Sequence, residues 1–195
     1  MDARTHLADF QHRLYRTRPG VQQTPPVLRA KLLEKVAHLQ GKVMWDVGAG
    51  SGSIAIEWKL HRPCAEVFAI ERFDERCFDI YKNAEQFGAD INIINQFAEK
   101  EILDILPRPD LIYHGCPGEC VEDLYPLLWN YLSPGGCLIS NAVSGTGVQR
   151  AYAAQARYGG EITVIDAFDL IRHQWMAYKP GIEIAATGQS DGNAS

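Results

Sequence analysis

From Val43 to Trp58 the chain reads VMWDVGAGSGSIAIEW. The apolar run Val43 to Val47 has the length of a buried strand. Gly48, Gly50 and Gly52 follow it directly, and SIAIEWKLHR then resumes as a helix. Glycine reaches left-handed backbone conformations without steric cost, so the run predicts a strand, a tight turn and a helix in immediate succession. That order commits the chain to a βαβ crossover, which lays the next strand parallel to the first.

The rest of the sequence repeats the theme. Val27, Leu28, Leu32, Leu33, Val36 and Leu39 predict a helix closed by Gly41. EVFAIE predicts a second strand, and FDERCFDIYKNAEQFGA a helix ended by Gly88. INIINQF and DLIYHGC are further strands, GECVEDLYPLLWNYL a helix containing Pro126, CLISNAV a strand and GVQRAYAAQARYG a helix. EITVIDAF, followed by QWMAYK or GIEIAA, has no intervening helix and predicts a C-terminal antiparallel hairpin at the end of the sheet. The expected class is α/β, with a mostly parallel seven-stranded sheet and helices on both faces. Residues 1–24 read as a polar lead-in, 25–187 as the folded domain and 188–195 as a frayed tail.

Length and composition suit one domain with a sizeable core: 195 residues, 46% hydrophobic and 22% charged. The net charge of −5 disfavours a nucleic-acid partner, whose phosphates select basic surfaces. No apolar run approaches the roughly 18 residues of a membrane span, and the N-terminus has no apolar stretch of a secretory signal. Cys64, Cys77, Cys116, Cys120 and Cys137 are odd in number and include no C-x-x-C pair. They read as reduced thiols of a cytoplasmic protein, with no metal site expected.

The glycine turn opens a helix, the position where backbone amides can meet a ligand. Ser51 or Ser53 is expected to cap that helix. A second acid, Glu71, ends the next strand about twenty residues beyond the glycines, where a carboxylate can hold both hydroxyls of a ribose. Together they predict a nucleoside-containing cofactor. A dinucleotide turn has the spacing G-x-G-x-x-G; here it is G-x-G-x-G behind Asp46, which would repel a pyrophosphate but suits an amino group or a sulfonium. S-adenosylmethionine carries both. A nicotinamide cofactor and simple strand–helix packing by the glycines are the competing readings.

DVGAGSG resembles the first motif of the Rossmann-like class I methyltransferases. In that superfamily the end of the third strand contacts adenine, which implies Phe97, Ala98 and Glu99. The combination of TPPVLRAKLLEKV with WDVGAGSGSIAIEW, continued by AIER, FAEKEIL, LSPGG, ISNAV and YGGEITVI, resembles one family more closely. It is the decarboxylating precorrin-6B or cobalt-precorrin-6B C15-methyltransferase family of cobalamin biosynthesis, which often forms the C-terminal half of a precorrin-6Y C5,15-methyltransferase. The resemblance implies that Thr24, Gly48, Ala49, Gly50, Ser51, Gly52, Glu71 and Ala98 contact S-adenosylmethionine. It further implies methylation at C15 of a tetrapyrrole, loss of the C12 acetate carboxyl and a homotetramer. The chain departs from the family pattern at HGCPGE, at SGTGVQ after ISNAV and after Ile165, all where the acceptor should bind.

His114 and Asn141 are the candidates for catalytic roles, and no base is assigned. Cys116, Ser144, Arg150, Arg172 and Lys179 are the candidates for an acceptor bearing many carboxylates. The competing functions are methyl transfer to another acceptor, a small molecule or tRNA adenine, and a cofactor-binding protein that has lost its tetrapyrrole.

Overall fold

The computed structural model describes residues 15–19, 23–39, 42–115, 123–167 and 170–181. Seven strands form one sheet: β1 (Val43–Val47), β2 (Glu66–Ile70), β3 (Asn92–Ile94), β4 (Leu111–His114), β5 (Cys137–Ala142), β6 (Glu161–Ala167) and β7 (Leu170–Tyr178). Their order is β3-β2-β1-β4-β5-β7-β6. Strands β1 to β5 pair in parallel, and β7 is antiparallel to both β5 and β6. The expected hairpin is present, but its second strand enters between β5 and β6. The hairpin turn, residues 168–169, the alternative strand GIEIAA from Ile182 on and the tail lie outside the described residues.

Alternation along the strands creates two cores. Met44, Val67, Ala69, Leu111, Cys137 and Ile139 point to one face. There they meet α1 (Pro26–Lys35), α2 (Ser53–His61) and α3 (Asp74–Phe87) through Leu32, Ile54, Trp58 and Ile80. Trp45, Phe68, Ile70, Ile112, Leu138 and Trp175 point to the other. They meet α4 (Lys100–Leu103), α5 (Tyr125–Tyr131) and α6 (Gly145–Tyr158) through Leu103, Tyr125, Leu128, Ala151 and Ala154.

Helix ends follow local chemistry, with three revisions. α3 stops at Gly88, whose φ of 65° lets its amide turn back to the carbonyls of Ala84 and Glu85. α1 ends at Lys35, before the predicted stop, and Gly41 is outside the described residues. α5 places Pro126 in its first turn, where a missing N–H breaks no helical bond, instead of in a helix interior. Neither Ser51 nor Ser53 caps α2: its N-cap is Gly52, at φ 75°, and no side chain of the turn bonds the free amides.

Residues 15–18, within the predicted lead-in, pack on α3. Tyr15 is buried against Phe87, and both Arg16 and Arg18 donate to the buried carboxylate of Asp79.

Candidate active site

In a parallel sheet, chain reversal on either side of β1 opens a crevice at the carboxyl ends of the strands. Here β1 lies between β2 and β4, and a cleft open to solvent lies at that point. Its lining includes Val47, Gly48, Ile70, Glu71, Phe73, Phe97, Ala98 and Leu124.

Gly48, Gly50 and Gly52 have φ of 74°, 60° and 75°, so the turn needs all three glycines. The Gly48 and Ala49 amides bond the Ile70 carbonyl at 2.9 and 3.2 Å, tying the turn to β2. At Gly52 a Cβ would also sit 2.9 Å from Ile80 Cγ2. Gly115, after β4, faces the same turn; a Cβ there would sit 2.9 Å from the Gly48 carbonyl.

Glu71 is buried beside Gly48. Its Oε2 accepts the Gly50 amide proton at 3.0 Å, and its Oε1 accepts that of Phe73 at 3.2 Å. Each carboxylate oxygen keeps a further lone pair, enough for two vicinal hydroxyls. Arg76 Nη1 lies 3.8 Å from Oε2, and the Arg72 and Arg76 guanidiniums each sit 4.6 Å from the Phe73 ring. Sequence reading missed Arg72, Phe73 and Arg76; their signal was position alone, directly behind the acid. Ala98 is buried and Phe97 half-buried at the opposite wall, while Glu99 is exposed and is the N-cap residue just before α4.

Asp46 does not line this cleft. It points to the α1–α3 face, where its Oδ2 accepts the Ala55 amide proton at 3.1 Å. A strand acid thus takes the capping work expected of the serines. Oδ1 is buried with no hydrogen-bond partner. Burial, opposed by that amide and helped by the charge of Glu71, pushes its pKa up to about 7. A buried oxygen lacking a donor fits a cationic ligand group. Ser51 is buried, with its carbonyl held by Asn83 Nδ2 at 2.8 Å.

A second polar group lies on the same face. Tyr113 pairs in register with Asp46. Its hydroxyl is 3.0 Å from Thr24 Oγ1 and 2.9 Å from Asn141 Nδ2. Asn141 Oδ1 accepts from Gln174 Nε2 at 3.1 Å, across the β5–β7 register pair. Arg172, two residues before Gln174, is buried beside Tyr113. Burial pushes the Tyr113 phenol up to about 12 and lowers the pKa of Arg172. Sequence reading named Thr24, Asn141 and Arg172 but missed Tyr113 and Gln174, whose only signal was polarity inside apolar strands.

The remaining candidates divide. His114 is fully buried on the opposite face, edge-on to the Tyr125 ring. Burial outweighs the bond to the Val47 backbone and, with the nearby Arg150 charge, brings its pKa down to about 4. It is therefore neutral near pH 7 and cannot act there as an acid. Arg150 is half-buried on α6. Ser144 caps α6, its Oγ accepting the Gly147 amide proton at 3.1 Å. Lys179 is at the wrong end of the sheet: β7 runs antiparallel, so the residue after it reaches the amino-terminal edge. Its Nζ donates to the Trp129, Asn130 and Leu132 carbonyls at 2.8, 3.3 and 2.8 Å. Cys116 lies outside the described residues. Among the described residues no cluster of His, Cys, Asp and Glu could hold a metal ion.

Residues 18–181 match the precorrin methyltransferase domain family. The chain is 34% identical over 145 residues to the precorrin-6Y C(5,15)-methyltransferase [decarboxylating] of Sinorhizobium sp, covering 74% of this chain and 35% of that protein. It thus spans about a third of that relative's length. It is 29% identical to the cobalt-precorrin-6B C(15)-methyltransferase (decarboxylating) of Salmonella typhimurium, covering 72% of each. The solved precorrin-6y C5,15-methyltransferase of Geobacter metallireducens superposes with a TM-score of 0.75 at 25% identity, covering 87% of this chain and 96% of that one.

Proposed function

We propose that this chain, which belongs to the precorrin methyltransferase family, moves a methyl group from S-adenosylmethionine to C15 of a precorrin tetrapyrrole and promotes loss of the C12 acetate carboxyl. The observation that carries the donor is the buried carboxylate of Glu71, fastened to the Gly50 amide at the wall of the cleft. In this reading Glu71 holds the ribose hydroxyls, Gly48 to Gly52 pass under the ligand, and Phe97 and Ala98 face the base. Asp46 meets the cationic amino-acid end and Thr24 its polar tail.

When bound, S-adenosylmethionine supplies an activated methyl group on a sulfonium. The chain's own contribution is placement and exclusion of water. The glycine turn sets the depth of the donor, and Arg172 and Arg150 supply cation near the mouth for an acceptor rich in carboxylates. With His114 buried and neutral, no side-chain proton transfer is assigned to the methyl step. We further place the protein in the cytoplasm, supported by the free thiols Cys64, Cys77 and Cys137. We expect a homo-oligomer, a tetramer by family resemblance, without nucleic acid. The exposed apolar Val164 on the edge strand β6 and Ile171 on β7 support self-association.

Calorimetric titration of S-adenosylmethionine and NADH into the wild type and Glu71→Ala tests the donor. Micromolar binding of the methyl donor alone, lost in the variant, is expected. Tighter binding of NADH, or no binding of the donor, overturns the reading. Mass spectrometry of precorrin-6B incubated with the enzyme and donor then tests the acceptor, with methyl gain and carbon dioxide loss expected.

A further inference from the structure

The polar side chains joining β7 to Thr24 all donate in one direction. Lys35 Nζ, on α1, lies 3.5 Å from Gln174 Oε1 and can only donate. Gln174 therefore presents its oxygen to Lys35 and its amide nitrogen to Asn141 Oδ1, at 3.1 Å. Asn141 in turn has only its NH₂ left for Tyr113, and donates to the phenol oxygen at 2.9 Å. The phenol proton then has one acceptor among the described residues, Thr24 Oγ1 at 3.0 Å. With its oxygen accepting from Tyr113, Thr24 keeps a hydroxyl proton to give away.

The backbone of Thr24 is held as firmly. Arg29 Nη1 donates to the Thr24 carbonyl at 2.6 Å, and Arg29 Nε is bonded to Glu57 at 2.8 Å, both side chains being buried. Thr24 itself is half-exposed. The chain starts at the exposed ammonium of Lys35, runs through the buried side chains of Gln174, Asn141 and Tyr113, and donates at every link, which polarises the hydroxyl of half-exposed Thr24 as a donor. The complement of such a group is an anion, and in a site for a methyl donor and a polycarboxylate acceptor that anion is a carboxylate.

We propose that Tyr113, Asn141 and Gln174 are positioning residues that orient the Thr24 hydroxyl as a hydrogen-bond donor to a ligand carboxylate. The carboxylate belongs either to the amino-acid end of the methyl donor or to a side chain of the acceptor. The proposal rests on the methyltransferase reading.

The experiment compares S-adenosylmethionine with its decarboxylated form, which keeps the sulfonium and amino group, by calorimetry on the wild type, Tyr113→Phe, Thr24→Val and Thr24→Ser. If the carboxylate is the donor's, Tyr113→Phe and Thr24→Val each weaken S-adenosylmethionine about tenfold. The decarboxylated form then binds all four proteins alike, Thr24→Ser stays near wild type, and the double variant Tyr113→Phe with Thr24→Val is no weaker than Thr24→Val. If it is the acceptor's, both donors bind unchanged and KM for precorrin-6B rises about tenfold with kcat retained. Equal weakening of both donor forms in Tyr113→Phe marks a merely structural tyrosine and overturns the proposal. So does an absence of change in both donor affinities and in acceptor KM. A wild type that binds neither donor overturns the functional reading itself, an outcome visible before any variant is made.

Discussion

The side chain of Asp46, near the end of β1, accepts the amide proton of Ala55, the third residue of α2, across 3.1 Å, and its other oxygen has no partner. The acid is therefore built into the strand–turn–helix unit before any ligand arrives. It is also about half protonated there near pH 7, because burial raises its pKa to about 7 from the ordinary 3.8.

A carboxyl group with a raised folded-state pKa favours the folded state fully below its unfolded value, and that contribution is lost as pH rises to the folded value. The window here is about pH 3.8 to 7. Asp46→Asn is expected to match the wild type near pH 4 and to exceed it at pH 8 by on the order of 2–4 kcal/mol. Denaturant titrations across that range check it. Equal pH dependence in both proteins would assign the titration elsewhere.

Arg29 and Glu57 join α1 to α2 inside the protein, and burial raises the pKa of Glu57 while the Arg29 charge holds it down. Glu57→Gln is expected to leave a buried guanidinium without its counter-charge and to cost about 3–5 kcal/mol of stability. Replacing both, Arg29→Met with Glu57→Leu, is expected to cost less than the single change. Urea unfolding of the two variants decides it.

Gly52 combines a φ of 75° with a Cβ position 2.9 Å from the Cγ2 of fully buried Ile80. Gly52→Ala is expected to lose about 1–3 kcal/mol from backbone strain and crowding together. Ile80→Ala in the same chain relieves only the crowding, so the pair should show a coupling of about 1 kcal/mol in a double-mutant cycle. Strict additivity would mean that the helix shifts to accept the methyl group.

Lys179 bonds three carbonyls at the end of α5, opposite the site. Lys179→Met is expected to lower stability by about 1–2 kcal/mol and to leave donor affinity and acceptor KM unchanged. A raised acceptor KM with unchanged stability would return Lys179 to the binding surface.

The glycine turn and the acid behind it were legible in the chain because their signals are local. A strand, three glycines and a helix declare themselves by residue type within one turn, and Glu71 stands at the end of the next predictable strand. The placement of the basic residues was not, because strand order decides it. Arg172 and Lys179 look alike in sequence, both basic and both in or beside a late strand. Strand β7 runs antiparallel between β5 and β6, so Arg172 lies at the carboxyl-end edge of the parallel strands and Lys179 at the opposite edge. Similarly, Ser53 reads as a cap, but Asp46 on the neighbouring strand reaches the free amide first.

The sequence alone therefore determined the alternation of elements, the glycine turn and the acid behind it, since periodicity and backbone freedom are properties of a few adjacent residues. Only the tertiary structure decided which polar side chains meet. Thr24, Tyr113, Asn141 and Gln174 come from four separate segments, and no local signal couples them. Long-range strand pairing sets their donors and acceptors about 3 Å apart, and burial then makes each of those bonds costly to lose.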